Sequence, residues 1–592
     1  MKIFILFLTF LILNCQLLIA TIRYVSHSGT STPPYTTWET AADSIQKCID
    51  YSFAGDTIIV ANGTYNESLI VDKYLWLIGS SMDSTVIDGT GLAITTVDFE
   101  PDTFMQTFNA VFKNFKVLGY GRVSNTACII CNMANVDIKN CKIQNAYTGI
   151  GIIWSSSVLE QSFIYNVDYG YETGCDPDTC NSIIKNSIIL LQNVGSFKDA
   201  ILFDGGNNAA NGNIIIDNVN SLSEKGIQSG LFLNVLNSII INNMVSGFDQ
   251  NIDGFASDTA IVYNDISSFA NERGFTINSK TDMRNNISAH NDVGVVGPTR
   301  TNSDYNLYWQ NGTNTTDSLA RHDIAANPMF VNDTIPVYGG TFDFHLQKYS
   351  PAIDAGDPNI LDVDGTRSDI GVFGGPLGES YTYEDLTPRP PVNLTAVLDT
   401  NKLLLTWDKN TEADLKNYRL YRDTTEGFII DSTKLISEQS DTFFIQIVPK
   451  EEINLYYKLT AVDSQGNQSG PSEEVHIVLS GTINNQKLTI NNYRLYQNYP
   501  NPFNPSTKIG YRLKERGYVK LMVYDIKGEL VEVLVNKVQE AGYYEVEFGG
   551  GGHSPQSSVS NLASGIYLYR IEVIGEGRIP RFTDMKKMIL LK

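Results

Sequence analysis

The chain is short of positive charge: 43 lysines and arginines face 65 aspartates and glutamates, for a formal net charge of −22 over 592 residues. Nucleic acid and anionic lipid need a basic stripe on their partner, so neither is expected to bind here. Past the first twenty residues no apolar run is long enough to cross a bilayer, and no membrane span is expected beyond them. Cysteine is sparse, at 7 residues. Cys128 and Cys131 form a C-x-x-C pair, but no second pair or histidine lies near them in sequence, as a zinc site would need. With Cys141 they read as small buried apolar residues. Cys175 and Cys180, in GCDPDTC, are spaced to close a small disulfide loop, which an oxidising compartment would permit.

What is present starts with a leader. MKIFILFLTFLILNCQLLIA has Lys2, an apolar run, and a small Ala20 before the polar TIRYVSHSGT. Residues 1–20 read as a signal peptide and the chain as exported. Attachment through a lipid on Cys15 is the competing reading, although Asn14 stands where a small residue is usual.

From about residue 56 to 300 one phrase keeps returning: KNFKVLGYG, KNCKIQNAYTGIGII, KNSIILLQNVGSFKDAILF, RNNISAHNDVGVV. Asn114, Asn140, Asn186, Asn218, Asn243 and Asn285 mark it at intervals of 25 to 46 residues, within the range of solenoid repeats. Each unit holds short Ile- and Val-rich strands that cannot bury their own inward face, so only stacking supplies a core. Asn and Gly at corners needing left-handed φ predict a right-handed parallel β-helix, with the asparagines stacked as a ladder. A leucine-rich horseshoe would need leucine at fixed places, and an antiparallel sandwich would need tight hairpin turns. Ahead of the coils, WETAADSIQKCIDY spaces Trp38, Ala41, Ala42, Ile45, Cys48 and Ile49 along one helical face, which predicts a capping helix over the first coil.

GDTIIVANGTYNE followed by LIGSSMDSTVIDG resembles the opening of the pectin-lyase-like superfamily, and the resemblance covers most of residues 22–375. It implies a fold rather than a reaction. The QDTL and DFIFG strings of methylesterases, the NTD, DD and GHG series of polygalacturonases, and the WIDH and RxPxxR patterns of pectate lyases are all absent. Titratable residues within reach of a lateral groove are Lys198, Asp199, Asp204, Asp253, Asp258, Arg273, Lys280, Arg284 and His290. Elimination from a uronate wants a Lys, Arg or Tyr base opposite a neutralising cation, and hydrolysis wants two carboxylates at a set separation. Both could be assembled from this set, and so could an ordinary solvated surface. No catalytic residue is assigned.

The β-helix closes with FDFHLQKYSPAIDAGDPNILDVDGTRSDIGVFGGP, which carries Asp354, Asp357, Asp362, Asp364 and Asp369. Alternating aspartates in a glycine-containing loop suit calcium, but no closing glutamate follows as in an EF-hand, and turn aspartates commonly bond their own backbone. A capping loop without a cofactor is the expectation.

Strands with Trp407, Tyr418, Tyr421, Tyr456 and Tyr457 alternate with turns over 391–479 and resemble a fibronectin type III module. Then comes LYQNYPNPFNPSTKIGY, where Pro500, Pro502 and Pro505 rule out helix and central strand and leave an ordered connector. With VKLMVYDIKGELVEVL, LASGIYLYRIEV and MKKMILLK behind it, this closely resembles the C-terminal sorting domain of the type IX secretion system. Such domains are Ig-like sandwiches read by export machinery and commonly cleaved afterwards.

The expected plan is all-β: signal peptide 1–20, β-helix 21–375, linker 376–390, fibronectin-like sandwich 391–479, linker 480–492 and sorting domain 493–592. The expected partners are the type IX machinery, through 493–592, and a polysaccharide. The destination is the medium or the outer cell surface. Three functions remain open: binding an extended polysaccharide or another surface along the lateral face; a polysaccharide lyase or glycoside hydrolase in the central coils; and a structural adhesin or stalk.

Overall fold

A computed structural model describes residues 20–590, apart from 93, 104–105, 175–180, 192–198, 204–205, 218–224, 230–234, 242–243, 247, 249, 254–259, 298–301, 335–341, 400–401, 449–452, 480–492, 497, 499–502, 504–505, 526, 528, 541, 550–564 and 575–579. The signal segment and the Cys175/Cys180 pair lie outside the described residues. These residues form two compact units, one running to Thr387 with Thr411–Leu415, the other comprising Pro388–Asn410 and Lys416–Lys592.

Stacking buries the apolar side chains of the first unit. Val97, Ile129, Ile150, Tyr171, Ile201, Ile227, Ile252, Phe275 and Val295 face one another in parallel register, coil upon coil. Each is buried. Removing such a side chain from water contributes about 1.5–3 kcal/mol, and no single coil could do it. One sheet of 12 parallel strands runs from Ile22–Val25 to Ser303–Asp304, and a sheet of 21 strands gathers the remaining strands of each coil. This is the right-handed parallel β-helix that the repeats predict.

The asparagine corners have the expected backbone. Asn114, Asn140, Asn186 and Asn285 sit at φ 64°, 54°, 50° and 58°. Asn264 holds the same corner at φ 54°, while Gln161 and Gly212 occupy it in coils without asparagine. Asn218 and Asn243 lie outside the described residues. Next to the corner, the backbone amides of Cys141, Ser162 and Ser187 donate to Ser162 Oγ, Ser187 Oγ and Asn213 Oδ1 of the following coil, at 3.1, 3.2 and 3.0 Å. Asp265 and Asn286 continue the pattern into Asn286 and Asn306, so buried turn amides are satisfied between coils.

The N-terminal helix is shorter than its apolar spacing suggests, spanning Ile45–Tyr51 with Ser44 as N-cap. Glu67, reaching from the next coil, accepts Ser44 Oγ–H and the Ile45 and Gln46 amides at 2.7–2.9 Å. These bonds fix the helix start, so Trp38, Ala41 and Ala42 precede it. Ile45, Cys48 and Ile49 still bury against the coils.

The last coil strand is Ile324–Ala325. Phe330–Asn332 and Asp343–Leu346 then pair antiparallel. The chain returns over an apolar stripe on the outside of the coils, where Phe344, Leu346, Ala352 and Ile370 pack with Ile266, Ile287 and Leu307. The Asn264 amide donates to Asp369 O at 2.9 Å, and Asp357 and Gly371 donate to Asn285 at 2.6 and 2.7 Å, which anchors this closing strap on two corners.

The second unit contains two antiparallel sandwiches with one topology. In the first, Thr395–Asp399, Lys402–Thr406 and Phe443–Ile447 form one sheet, and Leu435–Gln439, Leu415–Asp423, Ile453–Asp463 and Val475–Leu479 the other. In both, strands one, two and five share a sheet, and the order four-three-six-seven makes its partner. Trp407 and Tyr418, 5.5 Å between ring centroids, fill the first core in place of a disulfide. In the second, Tyr569 Oη accepts the Asn498 amide at 2.8 Å and donates to Tyr496 O at 2.9 Å. The Phe503 amide donates to Ile589 O at 2.8 Å, so the proline-bearing lead-in is tied to the last strands.

Candidate functional site: a lateral face and a strap-edge cleft

Parallel register lines up residues of successive coils in columns. One runs Asp98, Ile130, Gly151, Glu172, Leu202, Gln228, Asp253, Thr276. A second contains Asp199, Lys225, Gln250 and Arg273, with Thr148 beside Tyr169 on earlier strands. Asp199, Asp253 and Arg273 therefore share one face. Asp199 and Arg273 stand three strands apart, about 14 Å at ordinary strand spacing, and Asp253 belongs to the other column.

The remaining candidates lie elsewhere. Arg284 is on the 12-stranded sheet, bonded to Asp282 at 2.7 Å and paired with Asp357 of the strap. His290 is a corner residue at φ 59°, stacked on Phe269 with centroids 4.7 Å apart. Lys280 is exposed in a turn, where its amide donates to Asn278 Oδ1 at 2.8 Å. Lys198, Asp204 and Asp258 lie outside the described residues.

The face also carries groups absent from the candidate set. Tyr147 and Tyr169, on neighbouring coils, have ring centroids 5.4 Å apart. Burial, then Tyr147 and Asp199, raise the Tyr169 phenol well above its ordinary pKa. Next to Tyr169 in sequence, Asp168 is buried and accepts Arg122 Nε–H at 3.1 Å. Asp98, pushed up to about 6 by burial and then by Glu100, stands at the head of the first column. Nothing in the sequence distinguishes these residues from other surface polar groups, because coil lengths vary and register cannot be counted off.

The closing aspartates serve the strap itself. Asp357 accepts the Asn359 amide, Asp362 those of Asp369 and Gly375, Asp364 that of Thr366, and Asp369 that of Asp354 together with the Tyr383 hydroxyl. Where the strap's cover ends, at Ile214, a cleft of about 620 Å³ opens between Asn186 and Asn213 of the coils and Phe342, Phe373 and Leu377. At its edge each nitrogen of His345 faces a carboxylate, Asp343 Oδ1 at 2.6 Å and Glu379 Oε1 at 2.8 Å. The imidazole stacks on Phe373 with centroids 3.8 Å apart.

The described cysteines of the coils are packing residues. Cys128, Cys131 and Cys141 are buried and unbridged, and burial pushes the Cys128 and Cys141 thiols up to about 12.

The fold defines a β-helix protein followed in sequence by two sandwich domains. Residues 497–579 match the family model described as "Secretion system C-terminal sorting domain". The chain thus carries a type IX sorting domain and is secreted or displayed at the cell surface. It is 31% identical to an amylopullulanase of Thermoanaerobacter thermohydrosulfuricus over 108 residues, 18% of this chain. It spans only 7% of that curated relative. Among solved structures, pectate lyase Pel9A is 16% identical, covering 60% of this chain and 97% of its own at a TM-score of 0.39. An Fn3-like protein from Clostridium thermocellum is 26% identical, covering 15% and 90% at a TM-score of 0.14.

Proposed function

We propose that this protein binds an extended polysaccharide along the face that carries Tyr147 and Tyr169. The observation behind this reading is the tyrosine pair itself, two rings on successive coils flanked by Arg122 and Asp168. Rings at this spacing suit the apolar faces of successive sugars, and the charged groups beside them suit hydroxyls. Binding is favoured over catalysis because Asp199, Asp253 and Arg273 fall on three separate strands, with Asp253 in a different column from the other two, rather than around one point. The domain plan fits this reading: a β-helix to about 375, a fibronectin-like spacer and a detachable sorting domain.

The test is retention of the full chain on a panel of acidic and neutral polysaccharides, with and without Tyr169→Ala. At least a tenfold loss of affinity in the variant is expected. Unchanged retention would remove the tyrosines from the site. Release of unsaturated products or new reducing ends would transfer the reading to a lyase or hydrolase.

A further inference from the structure

We propose that the strap-edge cleft is a second carbohydrate site, selective for neutral sugars over uronates. The class of ligand rests on the polysaccharide reading above, while the place and the charge preference rest on the cleft alone. At about 620 Å³ it falls within the range of pockets that enclose small organic ligands.

Its wall is apolar and braced. Phe373 is stacked on His345, and Tyr381 meets both edge-on with centroids 5.6 and 4.5 Å away. Tyr381 in turn accepts the Leu346 amide at 2.9 Å. Phe342 and Leu377 extend the apolar surface to the rim, where Leu377 is 57% exposed. Such a wall fits the C–H face of a pyranose.

Its polar groups are hydrogen-bond acceptors of negative charge. His345 engages Asp343 Oδ1 and Glu379 Oε1, while Asp343 Oδ2 and Glu379 Oε2 take no bond from the described residues. These oxygens and Asn186 are placed to accept sugar hydroxyls. Among the described residues, no lysine or arginine lines the cleft, and their one cationic candidate there, His345, is held between the two carboxylates. A uronate carboxylate would meet like charge without a counter-cation, which costs affinity. Hydroxyl-rich ligands without charge meet no such penalty.

Calorimetric titration of the full chain with cellohexaose, xylohexaose, mannohexaose and maltohexaose, and with hexagalacturonate, tests this. At least one neutral hexasaccharide should bind at least tenfold more tightly than hexagalacturonate. Leu377→Arg, a rim change outside the core, should weaken that binding tenfold or more, and Phe373→Ala should do the same. Replacing both carboxylates, Asp343→Asn with Glu379→Gln, should narrow the gap to hexagalacturonate. Neutral binding that survives Leu377→Arg overturns the site. Tighter binding of hexagalacturonate that is lost in Tyr169→Ala overturns this inference alone and leaves the lateral reading standing. If no saccharide binds the folded chain, both fall.

Discussion

Asn140 donates its side-chain amide to Asn114 Oδ1 one coil away, at 2.8 Å, and both residues occupy the same left-handed corner. The corner thus requires two properties of one residue: tolerance of positive φ and an amide that reaches the next coil. Replacing Asn140 with alanine removes both and should destabilise by about 2–3 kcal/mol, from roughly 1–2 for the backbone and about 1 for the bond. Glycine, which tolerates the backbone, should cost about 1 kcal/mol. Urea unfolding followed by the coil signal distinguishes the two variants.

Arg23 and Asp56 form a buried ion pair at the first coil, with Nε–Oδ2 at 2.9 Å and side chains 5% and 3% exposed. Asp56 also accepts the Thr21 and Phe53 amides at 2.7 and 3.0 Å. Arg23→Met leaves a buried carboxylate without its cation and should destabilise by about 3 kcal/mol. Asp56→Asn with Arg23→Met should recover part of that loss, as read from unfolding midpoints.

Asp369 makes the strap sensitive to pH. Burial dominates and pushes its carboxyl up to about 6, against the opposing pull of the Asp354 amide and the Tyr383 hydroxyl. A carboxyl near 3.9 in the unfolded chain binds its proton less tightly than this one. The folded state is therefore favoured by protonation: the contribution is complete below about pH 4 and is lost as pH rises through about 6. Its ceiling is about 3 kcal/mol. Asp98, also pushed up to about 6, adds to the same window, so the useful quantity is a difference. The melting temperature of Asp369→Asn minus that of the native chain should rise between pH 4.5 and 7.5; a flat difference would count against the assignment.

Cys128, Cys131 and Cys141 should resist alkylation in the folded protein, since their thiols are buried and held in the neutral form. Mass spectrometry after iodoacetamide treatment, with and without denaturant, should show labelling of these three only on unfolding.

The coils were legible because their corners constrain residue type: Asn114, Asn140, Asn186 and Asn285 could be marked from the recurring phrase that carries them. The lead-in to the sorting domain was legible because prolines at 500, 502 and 505 admit few conformations. The helix start was not, since Glu67 sets it from the next coil. Asp343 and His345 share a strand face by simple alternation, yet Glu379 joins them only through the return of the strap. Tyr147 and Tyr169 meet because of register, which unequal coil lengths conceal. Asp199, Asp253 and Arg273 share a face for the same reason that they do not converge: each belongs to its own coil.

The inter-coil bonds from backbone amides to side chains of the next coil join residues 17 to 26 apart in sequence. Each rung therefore closes a loop of about the same entropy, and lengthening the rod adds no harder step. Excision of one whole rung should be tolerated if corner meets corner, whereas a deletion of half that size shifts every side chain beyond it out of phase. Added length in this β-helix is accommodated rung by rung, with the loops between strands taking up the remaining differences.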